Sequence, residues 1–115
     1  MLETRFTKLV GCRHPVQLAG MPRICTPELI AAVSDAGGLG TIGTPMTPAP
    51  LLSQELDAIE RLTAKPYGVN FLIPFLDREC VDVAARRARV VDFFFGAPDR
   101  SLVELVHSHG ALSVW

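Results

Sequence analysis

Few side chains in this 115-residue sequence are placed to do chemistry, and the most suggestive are small or neutral. Ala19-Gly20-Met21 joins two small residues to a polarizable thioether. A flat ring can lie against such a backbone with Met21 offered to its face. A tight turn asks for the same two small residues, so both readings stand. Asn70, in Gly68-Val69-Asn70, supplies an amide with two donors and an acceptor. Asn is a poor strand residue; a ligand and a turn each account for it. Thr41-Ile42-Gly43-Thr44 carries hydroxyls and a flexible turn and reads as an ordinary junction. Cys25 follows closely but has no adjacent base to activate it. No paired carboxylates, metal cluster or phosphate-cradling glycine motif appears. Gly37-Gly38-Leu39-Gly40 precedes an apolar run, whereas the dinucleotide fingerprint must follow one.

These groups matter only if the chain brings them to one rim. Short apolar runs, Val16–Ala19, Leu39–Ile42, Tyr67–Ile73, Val90–Phe95 and Ala111–Trp115, are bounded by Gly, Pro or charged residues. Such runs suit strands buried on both faces of a parallel sheet. Helical segments lie between them. Thr26 is the predicted N-cap of one, with Pro27 at its first position and Gly37-Gly38 at its end. Leu29, Ile30, Val33 and Ala36 form its apolar face. A second runs from Ala49 to Ala64 with Leu51, Leu52, Leu56, Ile59 and Leu62 inward and Pro66 as stop. A third covers Asp77 to Ala88, with Cys80, Val81, Val83 and Ala84 inward. A fourth covers Asp99 to His109, with Leu102, Val103, Leu105 and Val106 inward and Gly110 as cap. The strand–helix rhythm demands parallel strands joined by right-handed crossovers. The sequence stops at Trp115, inside a predicted strand, and so reads as part of a longer domain.

In such sheets ligands bind at the carboxyl ends of the strands. Ala19-Gly20-Met21 and Asn70 fall there, and the Pro-rich stretch Thr44–Pro50 reads as a loop over the same end. Alternate residues of Phe93-Phe94-Phe95 face the two sides of the sheet. His14 precedes the first predicted strand, and His107 and His109 end the fourth helix, all on the opposite side. They read as surface or helix-terminal histidines, so the sequence offers no catalytic residue.

Composition closes off other classes. Apolar residues make up 49% and charged residues 20%, enough apolar content for a core. The net charge is −1 and no basic run exceeds Arg86-Arg87, which argues against nucleic-acid or membrane-surface binding. Cys12, Cys25 and Cys80 lack CxxC spacing; a reducing, cytoplasmic setting suits them. No apolar run approaches the roughly 20 residues that span a bilayer.

Three blocks carry a family likeness: Thr4-Arg5-Phe6 leading to Pro15-Val16-Gln17-Leu18-Ala19-Gly20-Met21, then Glu28 through Gly40, then Lys65-Pro66-Tyr67-Gly68-Val69-Asn70. In this order they resemble the opening of the nitronate monooxygenases. The resemblance covers nearly all 115 residues. It implies the first half of a (β/α)8 TIM barrel, interrupted in its fifth strand, within a single FMN-binding domain. It implies oxidation of an alkyl nitronate by dioxygen, with Ala19, Gly20, Met21 and Asn70 binding FMN. A sister group with similar blocks reduces enoyl-acyl-carrier-protein substrates, also with FMN. There is one departure: family members carry Gln directly before the small pair, where this chain has Leu18, with Gln17 one place earlier. The family's catalytic histidine and phosphate loops lie in its second half, so these residues alone are expected to be inactive. A non-catalytic, self-associating half-barrel is the competing expectation. Its first and fifth strands would be open edges, favouring a homo-oligomer.

Overall fold

The computed structural model describes residues 2–44 and 46–115. Pro45, within the predicted Pro-rich loop, lies outside the described residues. Four of the five α-helices begin where a polar side chain satisfies free amides of the first turn. Thr4 and Thr7 form a reciprocal capping box that starts α1 (Arg5–Val10), and Gly11, left-handed at φ 81°, ends it. Thr26 accepts from the Leu29 amide to cap α2 (Pro27–Asp35), with Pro27 at its first position. Asp77 and Asp99 do the same for α4 (Arg78–Arg87) and α5 (Arg100–Ser108). Each such cap is worth about 1 kcal/mol. The remaining helix, α3 (Ala49–Leu62), starts at Pro48 without a side-chain cap.

Four strands alternate with these helices: β1 (Gly40–Gly43), β2 (Tyr67–Leu72), β3 (Val90–Phe94) and β4 (Leu112–Val114). They pair in chain order, all parallel, as the apolar runs predict. One predicted strand is corrected. Val16–Ala19 is no strand; it makes a single parallel bridge, Gln17 to Leu39, through the Leu39 amide to Val16 O and the Leu18 amide to Leu39 O, each 2.9 Å. The chain turns away at Gly20 before a second bridge forms. The sequence reading also passes over α1 and a 3-10 turn at Ile73–Phe75.

The sheet separates two apolar clusters, as alternation along each strand requires. Ile42, Val69, Phe71, Val91 and Phe93 face the helices, against Ile30, Leu52, Leu56, Ile59, Val81 and Val106. Burying each large aliphatic side chain contributes roughly 1.5–3 kcal/mol. Leu51 and Leu62, predicted inward, are about half exposed (48% and 49%), because the buried stripe of α3 runs through Ala49, Leu52, Leu56 and Ile59 instead. On the other face Leu39, Val90 and Val10 form a small cluster with Phe6, Cys12 and Leu112, so α1 plugs the amino end of that face. Among the described residues no helix is long and apolar enough to cross a membrane.

Candidate functional site

The concave face of the sheet, opposite helices α2–α5, carries the polar groups. Register places Gly43, Asn70, Asp92 and Val114 in one row across β1 to β4. Asn70 is 9% exposed, and its Nδ2 donates to Asp92 Oδ1 at 2.6 Å. From the neighbouring segment Gln17 Nε2 donates to Asp92 Oδ2 at 2.8 Å and to Thr41 Oγ1 at 3.4 Å. The Asn70 carbonyl is held in turn by Thr44, through its amide at 3.1 Å and its hydroxyl at 2.8 Å. The carboxyl ends of β1 and β2 are thereby fastened together.

Asp92 sits among neutral partners. Burial pushes its carboxyl above the ordinary range, while the hydrogen bonds from Asn70 and then Gln17 pull it back down. Both amides spend their NH2 groups on the carboxylate, and among the described residues no hydrogen bond reaches Asn70 Oδ1 or Gln17 Oε1. This wall therefore shows carbonyl acceptors.

The Ala19–Met21 turn lies directly over Asn70. A Cβ at Gly20 would fall 2.5 Å from Asn70 Cβ and 3.3 Å from its Oδ1, so no side chain fits there. Gly43 in turn would press on the Gly20 carbonyl group at 3.0 Å. Gly20 is thus required by the packing of the turn on Asn70. Ala19 is exposed and Met21 half-buried against the helix-side cluster. Cys25 Sγ ties the turn from beneath, donating to Ala19 O at 3.2 Å and accepting from the Met21 amide at 3.4 Å. Leu18 packs with the helix-side cluster and Gln17 with the concave wall, the opposite faces that alternation dictates.

At the rim of the same face Phe94 and Phe95 are 58% and 72% exposed and meet edge to face at 5.2 Å. Phe93 points the other way and stacks on Trp115 at 4.4 Å. The histidines are remote from the rim. His109 reaches Asp82 at 2.8 Å, His107 contacts the Ser113 hydroxyl at 3.0 Å, and His14 is exposed beside Gly37. A hollow of about 610 Å3 opens at the amino end of the strands between Val10, Tyr67, Arg87 and Ala111. Its Arg87 is already paired with Asp57 and Glu60, and Arg89 with backbone carbonyls.

The nitronate monooxygenase family profile matches residues 3–114. The chain belongs to the nitronate monooxygenase family. A probable nitronate monooxygenase of Staphylococcus saprophyticus is 47% identical over 73 residues, covering 64% of this chain and 21% of that protein. A Staphylococcus aureus relative, also a probable nitronate monooxygenase, is 39% identical over 72 residues, covering 63% of this chain and 20% of its own length. The chain therefore spans about a fifth of the curated relatives it matches. Among solved structures, a mutant FabK of Thermotoga maritima superposes with a TM-score of 0.89 at 34% identity, over 97% of this chain and 38% of that one. Nitroalkane oxidase from Streptomyces ansochromogenes superposes at 0.84 and 25% identity, over 96% and 42%. The parallel strand–helix alternation is shared with FabK and nitroalkane oxidase, which are TIM-barrel enzymes.

Of the residues singled out in the sequence, Gly20 and Asn70 are in contact, with Ala19 and Met21 on either side of Gly20. Asp92 and Gln17 complete the cluster and were passed over as site residues. The signal for Asp92 was available: an acid inside the apolar run Val90-Val91-Asp92-Phe93-Phe94-Phe95. A buried charge in such a run needs partners, and the amides of Asn70 and Gln17 are the ones it finds.

Proposed function

We propose that the protein is an FMN-dependent oxidoreductase of the nitronate monooxygenase type, oxidising alkyl nitronates with dioxygen. On this reading residues 1–115 are the first part of a single FMN-binding TIM-barrel domain that works in the cytoplasm. The observation that carries it is the packing of Gly20 on Asn70 at the carboxyl end of the sheet, in a chain of this family. The residues fit the group. Gly20 keeps the turn close against Asn70, beside its Oδ1, with Ala19 exposed next to it, and the unspent carbonyl oxygens of Asn70 and Gln17 suit the ring N–H and ribityl hydroxyls. Ala19, Gly20, Met21 and Asn70 are the residues that hold it. Bound FMN supplies the two-electron oxidising chemistry. The chain's own residues orient it: Thr44 fixes the backbone of Asn70, Cys25 fixes the turn, and neither contributes a base. The histidines lie at the other end of the strands, so we assign no catalytic residue to these 115.

FMN titration tests the site. Asn70→Ala is expected to weaken binding by about 0.5–1.5 kcal/mol, or about two- to tenfold in Kd. Gly20→Val is expected to weaken it more, because its side chain displaces Asn70. Unchanged affinity in both variants removes the assignment. Nitronate-dependent oxygen uptake by the full-length protein tests the reaction. Turnover of an enoyl thioester in its place favours the sister activity, and a colourless oligomer favours a non-catalytic role.

A further inference from the structure

Resting on that reading, we propose that Asp92 is a positioning residue that locks the side-chain amides of Gln17 and Asn70 with their carbonyl oxygens turned to the bound group. This wall is thereby fixed as an acceptor surface that takes hydrogen-bond donors. An ionised carboxylate only accepts, so each amide that reaches it must present its NH2. Asn70 Nδ2 does so at 2.6 Å and Gln17 Nε2 at 2.8 Å, one to each carboxylate oxygen. The two carbonyl oxygens are then directed away from Asp92. The flavin ring edge and ribityl chain carry the matching donors, an N–H and hydroxyls.

Among the described residues, no other hydrogen bond reaches the Asp92 carboxylate. Its neighbours by hydrogen bond or register are Gln17 from the 16–19 segment, Asn70 from β2 and Val114 from β4, none of which titrates. Thr41 of β1 stands behind Gln17 and is also neutral. Burial raises the pKa of the Asp92 carboxyl, and the two amide bonds oppose that rise. Protonation gives Asp92 an O–H donor. An amide can then reverse and accept from it, turning NH2 to the bound group in place of the carbonyl. The acceptor character of the wall is therefore tied to the charge of one side chain.

Asp92→Asn keeps the shape and removes the charge. FMN binding is followed by flavin fluorescence from pH 4 to 8 in the protein and in this variant. The unmodified protein is expected to bind more weakly as pH falls through the Asp92 titration. The variant is expected to bind about tenfold more weakly at neutral pH, the equivalent of about one neutral hydrogen bond, with a flat pH profile. Equal affinity and an equal pH profile in the two proteins overturn the proposal.

A second measurement does not need flavin. The side-chain NH2 resonances of Asn70 and Gln17 are expected to move with pH at a midpoint above the ordinary Asp value, and to lose that step in Asp92→Asn. Resonances that ignore the Asp92 titration overturn the proposal even if FMN binds. Resonances that follow it while no flavin binds uphold the positioning role and count against the FMN site. Gln17→Leu, which leaves the Asn70 contact intact, is expected to keep the Asn70 step and shift its midpoint upward.

Discussion

Two acids in this chain are partnered in opposite ways. At the amino end of the sheet Glu60 meets Arg87, whose guanidinium also reaches Asp57 at 2.6 Å and both the carbonyl and hydroxyl of Ser53. Arg87 is only 21% exposed, and Glu60 accepts a further bond from the Tyr67 hydroxyl at 2.8 Å. The Arg87 hydrogen bond holds the Glu60 carboxyl below its usual range despite partial burial, and burial together with Glu60 drives the Tyr67 phenol well up. On the concave wall Asp92 is given amides and no cation, and burial raises it. A carboxylate that serves the fold is matched by a charge. One left with neutral partners costs stability and keeps its electrostatic field for whatever binds beside it.

Removing the cation is expected to have the largest effect. Arg87→Leu leaves Asp57 and Glu60 without their partner and should lower the unfolding free energy by about 1–3 kcal/mol, the lower part of the range reflecting solvent at both acids. Urea unfolding measures it, and a loss no greater than that of an exposed pair would erase the distinction between the two acids. Asp92→Asn should instead leave stability at neutral pH within about 1 kcal/mol, on the side of a gain. A loss as large as that of Arg87→Leu would mean the carboxylate serves the fold after all.

Acid separates the two by sign. Glu60, lowered in the folded protein, contributes stability above its unfolded pKa of about 4.3, and that contribution is lost as pH falls through its folded value. Asp92, raised, contributes below its unfolded pKa of about 3.9, and that contribution is lost as pH rises through its folded value. Asp92→Asn should therefore steepen the fall of stability on acidification from neutral pH, and Arg87→Leu should flatten it. Unfolding free energies at several pH values for the three proteins check this, and a change of the wrong sign in either variant breaks the comparison. The smallest effect is expected from Arg100→Ala, which removes the exposed pair with Glu104 and should cost no more than about 0.5 kcal/mol in the same urea titration.

The sheet was legible because its strands are continuous apolar runs closed by Gly, Pro or charge, and three of four helix starts carry a cap residue with a physical reason to be there. Val16–Ala19 reads like the other runs, yet its sequence does not say that it turns away after a single bridge. Leu51 and Leu62 have the right character and the wrong angular position on α3. α1 is six residues long, too short for periodicity to register, and its capping box closes with Thr7 where a Glu or Gln is the usual sign. The site was half legible. Gly20 and Asn70 stand out because small and amide residues are odd at strand ends. Asp92 and Gln17 do not, since their partnership joins segments far apart in sequence and appears only once strand register is fixed.

The plug formed by α1 has a consequence for how the chain assembles. Each strand pairs with the one made just before it, so the sheet can grow unit by unit with short loops to close, which favours fast folding. α1 is the exception. Val10 packs on Leu39 and Val90, and Arg89, at the start of β3, donates to the Leu9 carbonyl across most of the chain's length. The seat of α1 is therefore incomplete until the third strand is laid down. It is made before these strands and docks fully only after them, and until then the floor of the sheet stands open to water.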